Sequence, residues 1–406
     1  MVPIRYNVRN LMVRWKTTLL TALGFMLVVA LLEVMLAFVQ GLVALSKKTG
    51  PEGNVIVLRD GVNDELMSEL DVDAVATAIY SSWNRQSAVL RDGEALRVSK
   101  EVYSLASQEL PGAGPEGRAE YRFLQIRGVD DPAMAGLVHG LDLQPGGRWF
   151  ERRAGDEMVV GDGLARSIGL KVGDTLEPKP GIVWKVVGVL DSRGAPFDSE
   201  IWAKREEVGR LFGKDNEEKK QSFYTSVVIA TPNARTAQLV AEAIRGDESV
   251  RVNAMTERKY YEEMSKGNAA FMFAALFIAA IMGVGGMFGL MNTMFAAVSQ
   301  RLNDIGVLRV MGYTRVQVLL SFLLESLLLA LVGGGVGLLL GYLANGVEQN
   351  GMISSGAGGG KFVVFKMVVD AWVLKWCVGF TLAMGLLGGL LPALSAMRLK
   401  LLDTLR

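Results

Sequence analysis

Two carboxylates lie inside long apolar stretches of the sequence, where such residues typically do proton or ion chemistry. Glu33 is the only charged residue in the first of four such stretches, and Glu325 shares the third with Arg315. A charged side chain in hydrocarbon is costly unless it is neutral, paired or facing water. We therefore expect Glu325 to pair with Arg309 or Arg315. Glu33 has no evident partner, so we expect it to be protonated or to face a water-filled seam.

The four apolar stretches predict the elements that carry these carboxylates. The chain has 406 residues, 50% of them hydrophobic, and a formal net charge of +1. Because about 20 mostly apolar residues cross a bilayer as a helix, each stretch predicts a transmembrane helix. The predicted spans are 17–45, 268–298, 314–346 and 371–397. The predicted fold class is a membrane protein with four transmembrane α-helices and a large α+β domain inserted between the first and the second.

Short basic segments predict the orientation of these helices. Lys and Arg concentrate in the N-terminal segment 1–16, in 299–313 after the second span, and in the tail 398–406. The positive-inside rule places these three segments in the cytoplasm, the first as an amphipathic helix. The extracytoplasmic parts are then a periplasmic domain at 46–267, with a β-rich insertion at roughly 120–222, and a loop at 347–370.

Strand and helix patterns recur at both ends of the inserted domain. The patterns predict strands at 54–61, 225–232 and 249–256 and helices at 71–80 and 233–246. We interpret the domain as a split α/β unit with a mostly β insertion. The segment 256–271, which leads into the second span, predicts either one continuous helix that forms a stiff stalk or a plain linker.

The segment 299–320 between the second and third spans is charged, yet its apolar residues have helical spacing. One face of about three helical turns would carry Leu302, Ile305 and Leu308 or Met311. Gly312 suits the left-handed residue that ends a helix, and Thr314 with Gln317 has the spacing of a capping box. The pattern therefore predicts a short amphipathic helix that docks into a groove of another protein. The alternative is that its apolar face lies on the membrane or on its own bundle.

Motifs of nucleotide binding and catalysis do not occur in the sequence. The segment "SSGAGGGKF" has Ser355 and Phe362 where a phosphate loop needs Gly and Ser or Thr, so we expect no ATP site. Neither "HExxH" nor "GxSxG" occurs, and "VVGDGLARS" has Asp162 in place of a nucleophilic Ser. The single cysteine, Cys377, excludes an internal disulfide, and the single histidine, His139, predicts a surface or satisfied residue. We assign no catalytic, cofactor-binding or metal-binding residues.

Glycines at four-residue spacing occur in three of the spans. Such spacing lets helix backbones approach closely in lipid. The set consists of Gly285 and Gly289 in the second span, Gly333, Gly337 and Gly341 in the third, and Gly385 and Gly389 in the fourth. Packing within one four-helix bundle and packing against a second copy of the chain both fit this pattern.

The order of spans and domain, together with three stretches of sequence, resembles the MacB-type ABC transporter permeases, also called the FtsX-like or type VII group. The stretches are "VSQRLNDIGVLRVMGYTRVQVLLSFLLES", "MVVGDGLARSIGLKVGDTL" with "WKVVGVL", and the closing "LLPALSAMRLKLLDTLR". The family usually has Glu where Asp304 stands. Some members carry a fused ATPase, which we do not expect here.

The resemblance implies a permease subunit that works with a separate ABC ATPase, in which ATP and Mg²⁺ bind. The residues that would contact the ATPase are Arg301, Leu302, Asp304, Ile305, Leu308, Arg309 and Gly312. The implied assembly is a homodimer in the lipid of the bacterial inner membrane, with or without a periplasmic adaptor and an outer-membrane channel. The implied mechanism is mechanotransmission, which drives export or extraction of a periplasmic or outer-leaflet lipid, lipoprotein, peptide or amphipathic toxin. No nucleic-acid partner is implied.

Two other functions stay open from the sequence. One is an FtsX-like signalling subunit that activates a cell-wall hydrolase, although domains of that kind are commonly smaller than the domain inserted here. The other is a membrane-anchored enzyme, for which no motif occurs. A homodimer and a heterodimer of two related permeases both fit the resemblance.

Overall fold

The computed structural model describes most of the chain as two compact units. The described residues are 12–13, 15–47, 50–80, 88–110, 120–151, 155–191, 195–216, 221–249, 251–266, 268–354 and 360–398. The first unit, here called the bundle, comprises 1–41, 270–347 and 366–406. The second, the inserted domain, comprises 42–269 and 348–365. Most of the expected N-terminal helix 1–16 and of the tail 398–406 lies outside the described residues.

Helices and strands are numbered here in chain order. The helices are α1 (Trp15–Lys47), α2 (Val72–Tyr80), α3 (Pro132–His139), α4 (Asp162–Ile168), α5 (Arg205–Leu211), α6 (Ala234–Arg245), α7 (Glu257–Ser265), α8 (Asn268–Gln300), α9 (Leu302–Val310), α10 (Arg315–Gly341) and α11 (Ala371–Arg398). The strands are β1 (Asn54–Arg59), β2 (Leu70–Asp71), β3 (Arg91–Asp92), β4 (Ala95–Leu96), β5 (Val98–Leu110), β6 (Glu120–Val129), β7 (Asp142–Leu143), β8 (Glu157–Gly161), β9 (Thr175–Lys179), β10 (Ile182–Asp191), β11 (Glu200–Lys204), β12 (Asp215–Asn216), β13 (Gln221–Tyr224), β14 (Ser226–Ala230), β15 (Val252–Thr256), β16 (Glu348–Ser354) and β17 (Gly360–Lys366).

Among the described residues, four helices are long and apolar enough to cross a membrane. The candidate spans are Trp15–Leu45, Met272–Gln300, Arg315–Ala344 and Ala371–Met397, in the regions of α1, α8, α10 and α11. The α+β domain is inserted between the first of them and the other three. The predicted fold class is therefore confirmed.

Glycines allow α10 to pack closely against both α1 and α11. A Cβ added at Gly333 of α10 would lie 2.4 Å from the carbonyl oxygen of Ala22, and one at Gly389 of α11 would lie 2.0 Å from Oγ of Ser326. The same crowding occurs at Gly337, Gly341 and Gly385. By contrast, no described atom lies within 4 Å of a Cβ added at Gly285 or Gly289 on α8. The glycines of α10 and α11 thus pack inside the bundle, and the α8 pair faces away from it.

Ten of the described strands of the inserted domain form one mixed sheet. Its order is β15-β1-β14-β5-β6-β11-β8-β10-β7, and β9 pairs with β10. The strand–helix predictions at the two ends of the domain are confirmed by β1 with α2 and by β14, α6 and β15. The β-rich insertion is not a separate layer, because β8, β10 and β11 continue the same sheet beyond β6.

The core of the inserted domain lies between this sheet and its helices. On α6 the buried residues Ala237, Val240, Ala241 and Ile244 follow the spacing of one helix face, as an amphipathic surface helix requires. Val55 and Val57 of β1 belong to the same buried cluster as this face. Burial of both sides of the central strands explains why β1 and β14 are apolar almost throughout.

The segment between α10 and α11 is partly folded, in contrast to the loop expected at 347–370. Strands β16 and β17 form a two-stranded sheet, and 348–365 belongs to the inserted domain. The β-branched and aromatic residues of "KFVVF" favour a strand, which the Gly-rich composition of the preceding residues obscured. The centre of the segment, 355–359, lies outside the described residues.

The continuous stalk helix expected at 256–271 stays a prediction, because a residue outside the described part of the chain separates α7 from α8. Helix α7 ends at Ser265 with Lys266 as its C-cap, and α8 begins at Asn268. The residue between them, Gly267, lies outside the described residues.

Candidate coupling site

Helix α9 is a short, separately capped element between α8 and α10. Gly312 ends it with φ +94°, and the amides of Gly312 and Tyr313 donate to the carbonyls of Arg309 and Leu308. This pattern is a Schellman motif, which requires a left-handed residue at the glycine position. Thr314 and Gln317 then form the predicted capping box at the start of α10. The predicted stop and restart of the helix are confirmed.

Arg301, the residue before α9, forms a buried ion pair with Glu325 of α10. Its Nη1 donates to Oε2 at 2.8 Å, and its Nη2 donates to Oε1 at 3.0 Å. The two residues are only 6% and 4% exposed. The expected pairing of Glu325 with Arg309 or Arg315 is therefore wrong. Arg309 instead donates to the carbonyl of Tyr313, which adds to the turn after α9.

The apolar face expected to dock on a partner is partly buried in the bundle. Ile305 is buried with Val318 and Phe322 of α10 and with Val298 of α8. Leu302 and Leu308 are half-buried. This placement corresponds to the alternative in which that face of α9 lies on its own bundle. Asp304 lies on α9, but its side chain is outside the described part of the structure.

The opposite face of α9 is apolar and exposed. Val307, Val310 and Met311 have exposed fractions of 53%, 67% and 62%, and Asn303 beside them is also exposed. Spacings of three and four residues place Asn303, Val307, Val310 and Met311 on neighbouring positions of one helix face. Met311, one of the residues that the sequence offered for the docking face, is among these exposed residues, and the face that meets a partner stays a prediction.

The second intramembrane carboxylate, Glu33 of α1, is fully buried. Within the described residues neither of its oxygens has a hydrogen-bond partner. A Cβ added at Gly341 of α10 would lie 2.4 Å from Oε2 of Glu33. Val29 and Cys377 belong to the apolar cluster in this part of the bundle. The glycine thus provides the space that the carboxylate occupies.

A cavity of about 490 Å³ lies beside the Arg301–Glu325 pair. Its lining residues include Lys16 and Thr21 at the start of α1, Thr293 and Gln300 near the end of α8, and Glu325. The only acid among these residues is already paired. No group of three or more His, Cys, Asp or Glu residues suited to hold a metal ion occurs in the part of the chain that the structure describes.

A buried ionic cluster lies in the inserted domain, and no motif indicated it. The cluster consists of Glu65, Glu101, Arg127, His139, Glu200, Glu257 and Lys361. Arg127 of β6 donates from Nε to Oε2 of Glu200 at 2.6 Å and from Nη1 to Oε1 of Glu65 at 2.8 Å. It also donates to Glu101 of β5.

His139, at the end of α3, is a charged member of this cluster. Its Nε2 lies 2.6 Å from Oε1 of Glu101, and its Nδ1 lies 3.4 Å from Oε1 of Glu257. Burial alone would lower the pKa of His139, but the charge of Glu101, with a smaller contribution from Glu257, raises it to about 10. Burial would raise the pKa of Glu101, but Arg127 and His139 lower it to about 2. Both groups are therefore ionised at neutral pH.

Comparison with known families assigns both units of the chain. Residues 18–246, more than half of the sequence, match the MacB-like periplasmic core domain, and residues 276–401 match the FtsX-like permease C-terminal domain. The chain belongs to the MacB-type, FtsX-like family of ABC transporter permeases. The resemblance inferred from the sequence is thus confirmed.

Three relatives illustrate how much of the chain the family covers. An uncharacterized ABC transporter permease of Methanocaldococcus jannaschii is 30% identical over 66% of this chain and 66% of that protein. The uncharacterized ABC transporter permease YknZ of Bacillus subtilis is 24% identical over 99% of this chain and 98% of its own length. The macrolide export ATP-binding/permease protein MacB of Nitrobacter winogradskyi is 33% identical over 54% of this chain, and the match spans 33% of that MacB.

Proposed function

We propose that ATP hydrolysis in a partner ABC ATPase changes the conformation of this permease, and that the permease transmits this change to its inserted domain. The observation that carries the proposal is the placement of α9. Its position is defined by the Arg301–Glu325 pair, by Ile305 in the bundle core and by the Gly312 turn, while one apolar face stays exposed. Because one face of α9 packs on the bundle and the other is exposed, a partner that binds the exposed face and displaces α9 would also displace the bundle.

The proposed ATPase contact is the exposed face of α9, here called the coupling surface: Asn303, Val307, Val310 and Met311. Of the residues that the family resemblance assigns to the contact, Arg301 and Ile305 would act by positioning, because both are buried. Leu302, Asp304, Leu308, Arg309 and Gly312 complete the helix and its turn. The ATPase, with its ATP and Mg²⁺, would be a separate chain.

The proposed location is the bacterial inner membrane, with the coupling surface in the cytoplasm and the inserted domain in the periplasm. Two observations support this orientation. Lys and Arg concentrate in the short segments on the side of α9. The matching family domain is described as a periplasmic core domain.

The proposed activity is export or extraction of an amphipathic substrate that is already outside the cytoplasm, such as a lipid, lipoprotein, peptide or toxin. The match of 18–246 to the MacB-like core domain favours transport over cell-wall signalling, since the FtsX-like match is confined to 276–401. Relatives named macrolide export proteins support export as the activity. A periplasmic adaptor and an outer-membrane channel would complete such a pathway.

The proposed assembly is a homodimer that buries the outward face of α8. Gly285 and Gly289 on this face have open space around them within the described residues, unlike the packed glycines of α10 and α11. Small residues at this spacing allow a second helix backbone to approach closely in lipid.

Purification from native membranes tests the proposed function. We expect mass spectrometry to identify an ABC ATPase that copurifies with the permease, and we expect the permease reconstituted in membranes to change the ATP turnover of that ATPase. Recovery of the folded permease without any ABC ATPase, from membranes that retain its other partners, would contradict the proposal.

A further inference from the structure

Lys361 places a strand from between α10 and α11 inside the ionic cluster of the inserted domain. Its Nζ donates to Oε2 of Glu65, lies 3.6 Å from Oε1 of Glu200, and donates to the hydroxyl of Tyr261 at 3.3 Å. The side chain is only 1% exposed. Burial would lower the pKa of Lys361, but the charge of Glu65 raises it, so the ammonium is charged. A buried lysine in such surroundings is a specific contact and not a solvated surface charge.

The ionic cluster also contacts the two other chain segments that continue into transmembrane helices. Strand β1 follows α1, and Nδ2 of its first residue, Asn54, donates to Oε2 of Glu257 at 2.7 Å. Helix α7 precedes α8 and carries Glu257, Tyr260 and Tyr261. The hydroxyl of Tyr260 donates to Oε2 of Glu65 at 3.4 Å. Segments adjoining α1, α8 and the α10–α11 connection therefore meet at one buried cluster.

Lys361 supplies one of the three cationic side chains of the cluster. Four carboxylates, those of Glu65, Glu101, Glu200 and Glu257, face three cationic side chains, those of Arg127, His139 and Lys361. Without Lys361, two cations would face four buried carboxylates. Breaking a buried ion pair by removing one partner is strongly destabilising, because the remaining charge stays uncompensated.

Other contacts seat β17 beside the cluster. The amide of Val364 donates to Oγ of Ser199 at 2.6 Å, and the ring of Phe362 stacks on Phe123 with centroids 4.8 Å apart. Val363 and Phe365 are buried. The β16–β17 pair is thus a docked part of the inserted domain, and Lys361 is the charged member of the contact.

We propose that Lys361 fastens the β16–β17 pair into the inserted domain, and that the ionic cluster is the junction through which the transmembrane helices move that domain. This inference rests on the proposed function for its mechanical role. The docking of β16–β17 by Lys361 is independent of that function. The alternative is a cluster that only stabilises the domain.

Hydrogen exchange of the full-length permease tests the docking. In Lys361→Met, which keeps the length of the side chain but removes the ammonium, we expect the Val364 amide to exchange about a hundredfold faster or more. The amides of β5 and β6 should stay protected. Lys366→Met, an exposed lysine of the same strand, is the matched control and should leave Val364 protected. Lys361→Arg, which keeps the charge, should also retain the protection.

Two exchange results would overturn the proposal. Unchanged protection of Val364 in Lys361→Met would show that the lysine does not fasten the strand pair. Loss of protection across β5 and β6 in the same variant would show that Lys361 is a core residue on which the whole domain depends.

The mechanical role is tested with the permease–ATPase complex and a non-hydrolysable ATP analogue. In the wild-type complex we expect the analogue to change exchange in the inserted domain, and in Lys361→Met we expect that response to be lost while ATP turnover continues. If Lys361→Met keeps the same analogue-induced change in exchange as the wild type, the proposal that the ionic cluster is the junction is wrong. No response in the wild type would instead contradict the proposed function and leave the docking result intact.

Discussion

Arg301 and Glu325 form a bidentate ion pair, with N–O distances of 2.8 and 3.0 Å, that joins the start of α9 to the interior of α10. Because two parallel hydrogen bonds fix the direction of the guanidinium as well as its distance, the pair restricts the orientation of α9. A charge that is costly in the membrane is thereby used to position the helix that we propose to contact the ATPase.

Breaking this pair should destabilise the permease and disturb α9. For Glu325→Gln or Arg301→Met we expect a loss of about 3–5 kcal/mol in the free energy of unfolding, because one buried charge is left unpaired. Thermal unfolding in detergent measures this loss. Arg315→Met, which removes an exposed arginine of α10, should change the stability by less than about 0.5 kcal/mol.

Swapping the two charges tests the interaction between Arg301 and Glu325 apart from the effect of each residue alone. We expect the double variant Arg301→Glu with Glu325→Arg to recover part of the stability that each single charge reversal loses. A double variant no more stable than the sum of the single losses would contradict the pairing.

Part of the candidate site was predictable from the sequence, because it depends on local rules. Gly312 and the Thr314–Gln317 capping box are determined by neighbouring residues, and both were placed correctly. The partner of Glu325 and the buried face of α9 depend on how α8 and α10 pack. Helical spacing shows that Ile305 is on an apolar face, but it does not show what that face meets.

The larger fold divides in the same way. Hydropathy alone identified the four candidate transmembrane helices, since each is a single continuous run of mostly apolar residues. The ionic cluster joins residues from Glu65 to Lys361, and each of its members is a single charge in an unremarkable local pattern. Only the pairing of β5, β6 and β11 in the sheet brings these charges together.

Glu33 should tolerate replacement of its carboxyl group by an amide but not by an amine. We expect Glu33→Gln to insert and fold like the wild type, because neither oxygen has a described partner to lose. Glu33→Lys should fail to fold, since a cation would be buried against Gly341. Size-exclusion profiles of the solubilised protein measure both outcomes. Misfolding of Glu33→Gln would show that a specific contact of the carboxylate is required.

The outward glycines of α8 should matter for assembly and not for the fold of one chain. Gly285→Leu with Gly289→Leu is expected to lower the dimer fraction at least about tenfold while the monomer stays folded, because the larger side chains keep a second helix away. Crosslinking in membranes, or mass photometry, measures the dimer fraction. Gly333→Leu is the comparison and should disrupt the monomer, since that glycine contacts α1. An undiminished dimer would place the interface elsewhere.

The His139–Glu101 pair should give the inserted domain a defined pH dependence. The folded pKa of His139 is raised from about 6.5 to about 10, so its stabilisation is fully present below about pH 6.5 and is lost as the pH rises toward 10. His139 is the only histidine of the chain. We therefore expect unfolding temperatures to fall between pH 6.5 and 10 in the wild type and to change much less in His139→Gln. Equal slopes in the two proteins would contradict a charged histidine.

The most direct test of the proposed ATPase contact replaces two exposed residues of the coupling surface by charged ones. Val307→Glu with Met311→Glu should leave the permease folded and dimeric but abolish ATPase copurification and the change in ATP turnover, because the binding face becomes charged. Val183→Glu, at a valine of the inserted domain with a similar exposed fraction, should retain both. Normal ATPase binding and turnover in the Val307 and Met311 double variant would contradict the account.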